Sequence, residues 1–459
     1  MITGTVINNI LIESPNSFEI ACKIVMQIIA QTSSSQYGMQ TIDISSLGKY
    51  IKKSYDKIKN ELTEEFDGKL SSDIIERLTQ KRLENEITSG VQMLEYQINT
   101  LITSNGKTPN IAWFLNINES DLYAKENAVL IEEILKRRYK GIKSENGEYK
   151  TTDFPNLIYV LNEENCLNGG KYDYLTKMAI EVTKKRGMPY YLSAKKMKEN
   201  HQGCVYAPTG TKCFLDPWKG ENGECKFSGR FNQGMVTINL PQIGIVADGN
   251  EEKFWSLLDE RLEICKDALM CKHYAMLGTL SQISPIQWNY GAIARLSKDE
   301  TIDKLLKNGY SSLALGYIGI YETTMLVKGV SNVEKEGYDF SIRLLKYLNE
   351  KIKEWKKETN LGFTLFQTTN KNICNEFLQI DREEYGEITG ITDKDFYTTE
   401  FYNAKDENTD AYKIIEFESE YQKLTPGGAI TYINSSNINN YEDMIKYVYE
   451  NIQYVRFVN

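Results

Sequence analysis

Apolar positions recur at helical spacing through the first hundred residues. Over 17–31 (SFEIACKIVMQIIAQ), Phe18, Cys22, Met26 and Ile29 fall on one face, and Pro15-Asn16 before Ser17 supplies a start signal. The pattern predicts a helix there, a polar turn at 33–41, and amphipathic helices over about 48–66 and 71–103, the last broken at Ser104-Asn105-Gly106. Beyond residue 110 the pattern changes. Short apolar runs, IAWFL (111–115), LIYVL (157–161), MVTINL (235–240), SLALGYIG (312–319) and LGFTLF (361–366), read as strands. They alternate with helical stretches at 126–138, 171–186, 251–273, 297–307, 337–357 and 441–453. In 251–273, Phe254, Leu258, Leu262, Cys265 and Leu269 make one stripe; in 337–357, Phe340, Leu344, Leu348, Ile352 and Trp355 make another. Strands without polar alternation are buried on both faces and need crossover helices, so the prediction is an α/β fold with a largely parallel sheet. No repeat, low-complexity segment or Pro/Gly linker interrupts the chain, which reads as one domain.

Composition narrows the function. With 459 residues, 41% hydrophobic and 25% charged, the chain has ample material for a core. A net charge of −9 without a long basic tract argues against a nucleic-acid partner held through phosphates. No apolar run is long enough to cross a membrane, and no basic segment followed by an apolar one opens the chain, so the expected location is cytoplasmic and the eight cysteines are expected as free thiols. Two histidines leave little for His-based catalysis or metal binding. His201, Cys204, Cys213 and Cys225 do not match zinc-site spacings, so no metal is expected. No Walker A loop, GxGxxG or HExxH occurs. The turn-rich stretch 203–248 is a long irregular insertion inside a compact domain, the kind of segment that binds or reacts.

Long, idiosyncratic motifs then place the chain. SPNSFEIACKIVMQIIAQTSSSQYGMQT near the start, GVQMLEYQINTLITSNGKTP at 90–109, GRFNQGMVTINLPQIGIVADG ending at Gly249, SLALGYIGIYE at 312–322, ITDKDFYTTEFYNA at 391–404 and GGAITYINSSN at 427–437 resemble, in order, the class III anaerobic ribonucleoside-triphosphate reductases. The resemblance implies a ten-stranded α/β barrel of the ribonucleotide reductase and glycyl radical enzyme type, two parallel five-stranded halves with a finger loop (about 203–218) through the middle. It divides the chain into a helical dimer and effector region, 1–110, and the barrel, 111–459. In the family a glycyl radical oxidises a finger-loop cysteine, whose thiyl abstracts the ribose 3′-hydrogen, and formate or a thiol donor supplies the reducing equivalents. Zinc and nucleotide effectors complete the family's needs. Effector contacts are expected at Gln92, Gln97 and Asn99. Asn239, in TINLP, is expected either to bond ribose hydroxyls or to bond local backbone, and Glu322 to complement a helix dipole.

The departures from the family fall on the chemistry. Its finger reads MGCRSFL followed by Pro-Trp. Aligned on Phe214-Leu215 and Pro217-Trp218, Gly210 meets the glycine, Thr211 stands where the radical cysteine belongs, Lys212 replaces the arginine, and Cys213 comes two positions late. An O–H bond is far stronger than an S–H bond, so Thr211 cannot relay a hydrogen atom. The family's phosphate loop, GTPAES, is here Gln367, Thr368, Thr369, Asn370, Lys371 and Asn372; only Thr368 is kept, with Lys371 and Asn372 as the remaining substrate-phosphate candidates. The family's ATP-cone, zinc module and glycyl-radical loop are expected to fall outside these residues, leaving no cofactor on this chain. The expectation is therefore a pseudoenzyme that binds a nucleoside triphosphate, as a homodimer or a heterodimer with a reductase. The alternatives are the barrel chain of a reductase split between polypeptides, or an accessory subunit.

Overall fold

The computed structural model describes residues 2–458 apart from 8, 36–37, 119, 153, 167–168, 211, 221, 227 and 403–408. Among them, nine strands build two sheets: β1 (Gln40–Asp43), β2 (Ile111–Leu115), β3 (Asn156–Leu161), β4 (Tyr190–Ser193), β5 (Asn232–Asn239), β6 (Ser312–Ile318), β7 (Gly362–Gln367), β8 (Thr431–Asn434) and β9 (Tyr454–Val458). One sheet runs β1-β2-β3-β4 in parallel, turns antiparallel at the β4/β9 pair and ends on β8; the other is the parallel set β5-β6-β7. The Gly427-Gly428 segment that leads into β8 joins them: Gly427 N–H donates to Leu365 O (2.6 Å) and Gln367 N–H to Gly428 O (3.0 Å).

Strands β2, β3, β6 and β7 are buried along their whole length because both sides are covered. On β6, Leu313, Leu315 and Tyr317 pack with the helices Glu251–Met276 and Lys335–Thr359, whereas Ala314 turns inward. On the larger sheet, Trp113, Leu157 and Tyr159 face the outer helices, and Phe114, Ile158 and Val160 face the interior. The predicted helical stripes are the buried ones: Phe254, Leu258, Leu262, Cys265 and Leu269 on one helix, Phe340, Leu344, Leu348, Ile352 and Trp355 on the other. The N-terminal helices fall at Phe18–Ser35, Gly48–Phe66 and Ser72–Thr100.

Two expectations change. The segment 297–307 is a set of turns with one 3-10 turn at Ile302–Leu305, because backbone pairing to residues 279–281 (Ile302 N–H to Thr279 O, 3.0 Å; Ser281 N–H to Glu300 O, 2.9 Å) pulls it out of a helix. The free-thiol expectation also fails at one place: Cys204 and Cys225 are joined in a disulfide, while the other six cysteines are free.

Candidate functional site

The finger loop runs between the two sheets. Phe214 packs into the interior face of the larger sheet, in edge contact with Tyr206 and Tyr454, and its N–H donates to Gly427 O (2.8 Å). The loop turns tightly at its tip, where Thr209 N–H donates to Cys213 O (2.6 Å). Thr41 on β1 donates to Gly210 O (2.6 Å) and fixes the tip against the opposite edge of the barrel. Gly210 has φ +72, and a side chain there would meet Met39.

Thr211 itself lies outside the described residues. The Lys212 ammonium donates to Thr369 Oγ1 (2.6 Å), just past the C-terminal end of β7, and lies over the ring of Tyr432 on β8. Burial lowers the Lys212 pKa from its ordinary value. Cys213 points the other way. It is 6% exposed, packs on Met235, Ala314 and Phe366, and its sulfur takes a hydrogen bond from Asn232 Nδ2 (3.4 Å). Burial pushes this thiol up to about 11. The sulfur is therefore inside the barrel, packed between Ala314 on β6 and Phe366 on β7, the residue before Gln367 of the open cavity.

That cavity is a small, solvent-open cleft at the C-terminal ends of β6 and β7, lined by Tyr317, Gly319, Gln367, Thr368, Thr399 and Glu400 among others. Gln367 donates to Thr399 O (2.6 Å), and its buried Oε1 has no partner among the described residues. Beside it, the fully buried Glu322 receives Lys394 Nζ (2.5 Å), Thr398 N–H (2.8 Å) and Thr398 Oγ1 (2.6 Å) on one oxygen. Its carboxylate thus pins the 394–400 loop to the barrel, a larger role than complementing a dipole.

The phosphate-loop candidates are spread along a chain that already uses its own donors. Thr368 pairs with Thr237 (3.0 Å) and its N–H goes to Tyr317 O (3.0 Å). Asn370 caps the helix Lys371–Tyr385 by accepting from Asn372 N–H (3.0 Å), which spends one amide an anion would use. Lys371 is exposed, its ammonium over the Phe396 ring, and Asn372 is exposed too. Asn239 caps the helix Leu240–Ala247, where Pro241 starts a helix directly as the strand stops, and donates to Asp381 (2.7 Å). Asp381 is buried and also receives Gln242 (2.8 Å) and Tyr397 (2.6 Å). Of the effector candidates, Gln92 is exposed, Gln97 holds a buried Oε1 without partner among the described residues, and Asn99 bonds Glu95 O (2.7 Å) and Phe154 O (3.2 Å). Sequence reasoning missed Thr399, Glu400 and Asp381, which sit in loops or on a helix face with no periodic signal.

At the base of the finger, Tyr206 donates to Leu215 O (2.6 Å), so its oxygen accepts from His201 Nδ1 (2.9 Å). Burial lowers the His201 pKa to about 4. Below pH 6.5 the unfolded chain takes up a proton that the folded chain refuses, so stability falls as pH drops from about 6.5 toward 4, by ~3 kcal/mol in total. His201→Gln is expected to flatten that part of the stability–pH curve, measured by urea unfolding at pH 7 and pH 5.

The family profile described as anaerobic ribonucleoside-triphosphate reductase matches residues 1–459. The anaerobic ribonucleoside-triphosphate reductase of Escherichia coli K12 is 33% identical over 461 residues, covering 98% of this chain and 63% of that protein. The enzyme of the same description from Enterobacteria phage T4 is 34% identical over 447 residues, covering 95% of this chain and 70% of that one. The chain thus spans a little under two thirds of its Escherichia coli relative. Among solved structures, the anaerobic ribonucleotide reductase from Thermotoga maritima in complex with dATP and CTP superposes with a TM-score of 0.71 at 16% identity, over 99% of this chain and 72% of that one. The same protein with dATP bound in the specificity site gives 0.69 at 17% identity, over 98% and 72%.

Proposed function

The chain belongs to the anaerobic ribonucleoside-triphosphate reductase family, and on that premise we propose that it is a nucleotide-binding member in which radical reduction of ribose has been lost. The observation that carries this reading is the finger. Its thiol, Cys213, is committed to the packed interior at Met235, Ala314 and Phe366, while the residue between Gly210 and Lys212 at the tip is a threonine. Hydrogen abstraction needs the donor and acceptor atoms in near contact, and a displacement of even one ångström costs orders of magnitude in rate. A thiol buried against Met235, Ala314 and Phe366, with Asn232 on its sulfur, has no sugar-sized space beside it. The residues present therefore do not fit the family's radical relay.

Binding is supported separately. The barrel mouth keeps Lys212 and Thr369 in contact and a cavity beside them, and the Thermotoga maritima protein has been solved with dATP and CTP bound. The ligand is a nucleoside triphosphate, and the helical region through Gln92 and Gln97 is its second candidate seat. Thermal unfolding with each of the eight ribo- and deoxyribonucleoside triphosphates tests this. At least one is expected to stabilise the protein, by about 2.7 kcal/mol at a hundredfold excess over its dissociation constant. Lys212→Met is expected to weaken a ligand at the barrel mouth about tenfold, the loss of one charge-assisted contact, and to leave a ligand in the helical region unaffected. No stabilisation by any of the eight would overturn the binding reading.

A further inference from the structure

Arg456 stands in the middle of a polar row on the interior face of the larger sheet. Strand pairing sets Tyr432 of β8 on one side of it and Tyr190 of β4 on the other. Both tyrosines pack with the interior cluster that holds Phe114, Ile158 and Phe214, whereas Val455 and Phe457, its neighbours along β9, face the outer helices. Successive residues of a strand point to opposite faces, so the guanidinium is committed to the interior. Its Nη1 donates to the Tyr190 oxygen (2.6 Å), its carbon lies 4.8 Å from the Tyr190 ring centroid, and Nε reaches Gly187 O (3.4 Å). Nη2 has no partner among the described residues.

Lys212 enters the same chamber from the finger. Its ammonium lies 5.8 Å from the Tyr432 ring centroid and spends one N–H on Thr369 Oγ1 (2.6 Å). Burial above all, and then the Arg456 charge, lowers its pKa against the pull of Tyr190 and Glu400, so the two cations feel each other. Among the described residues neither is ion-paired. The carboxylate that faces them is Glu400, which takes a hydrogen bond from Thr399 Oγ1 (3.1 Å). The phenols add donors. Tyr190 accepts from Arg456 and keeps its own proton to give. Burial pushes the Tyr432 phenol up to about 12, so at neutral pH it is an O–H, and it bonds nothing among the described residues. Arg456, Lys212 and Tyr432 are half-buried, each with some surface open to solvent. Two unpaired cations sharing one chamber are costly to fold unless an anion completes the set.

We infer that Arg456, Lys212, Tyr190 and Tyr432 form a seat for one phosphate group, either free or borne by a nucleotide. A phosphate presents several acceptor oxygens and so matches donors that converge from several directions, and the guanidinium fork suits it in particular. None of the four side chains belongs to 367–372, the segment expected to hold phosphate. The free-phosphate form stands on these side chains alone; the nucleotide-borne form rests on the nucleotide-binding reading.

Isothermal titration with inorganic phosphate, in chloride buffer at constant ionic strength, tests the seat, followed by the same titration with each of the eight nucleoside triphosphates. Wild-type protein is expected to bind phosphate saturably. Arg456→Met should weaken binding at least tenfold, and Tyr432→Phe, which keeps the ring and removes one hydroxyl, about fivefold. Arg82→Met, on the exposed face of the helix Ser72–Thr100, should bind like the wild type. If Arg456→Met does not fold, Tyr432→Phe decides. Free phosphate bound through Arg456 while no nucleotide binds would support the seat and sink the nucleotide reading. Nucleotide binding that neither Arg456→Met nor Tyr432→Phe weakens would overturn the seat and leave that reading standing. No binding of phosphate in any form overturns both.

Discussion

Gly428→Ala is expected to unfold the finger from its seat and to cost about 4 kcal/mol or more, at the severe end of single substitutions. Gly428 has φ +115, and a Cβ there would lie 1.9 Å from Lys212 O. The clash is with backbone on one side and the Phe214 ring on the other, so no flexible side chain can turn away. The same stretch carries the bonds that join the two sheets, Gly427 N–H to Leu365 O and Gln367 N–H to Gly428 O, and the one that receives Phe214. Displacing it therefore loosens the barrel seam and the finger together. Gly68→Ala is the control: φ is +71 but nothing lies within 4 Å, so only the left-handed backbone penalty of about 1–2 kcal/mol applies. Urea unfolding midpoints of the two variants read the difference.

Glu322→Ala is expected to cost about 3 kcal/mol, as when one partner of a buried ion pair is removed. One carboxylate oxygen holds an ammonium, an amide and a hydroxyl, and the residue has no exposed surface. Lys394 is 29% exposed and can turn to water, so the larger share of the loss comes from Thr398 N–H and the space left behind. Glu322→Gln keeps an acceptor in place and should cost less than half as much. Because Thr398 and Thr399 line the cavity, the alanine variant should also weaken any ligand seated there. Chemical denaturation and the nucleotide titration read the two effects.

Much of this fold is legible in the chain because its strongest signals coincide with burial. The stripe Phe254 to Leu269 and the run SLALGYI are both long and both fully covered, so periodicity and tertiary packing agree. Where they part, the reading misses. β4 and β8 have four residues each, too few to show a period, and earn their place by pairing in the sheet. The helix Lys371–Tyr385 buries only Cys374, Leu378 and Asp381, one of them charged. In 297–307, Ile302, Leu305 and Leu306 do face a common core, but that core is reached by turns. The site shows the same division. The finger and its threonine follow from a motif, whereas the carboxylate pinning the 394–400 loop and the Cys204–Cys225 bond join residues far apart in sequence and leave no local trace.

The loss of the relay is tested most directly by turnover. Wild-type protein and Cys213→Ala, incubated without oxygen with labelled ribonucleoside triphosphates, formate and the activated radical-bearing polypeptide of a working family member, are analysed for deoxyribonucleotide. The account predicts no product above the level given by that polypeptide alone, for both proteins. Deoxyribonucleotide formed by the wild type and abolished by Cys213→Ala would show that the inner thiol reaches the sugar, and would contradict it.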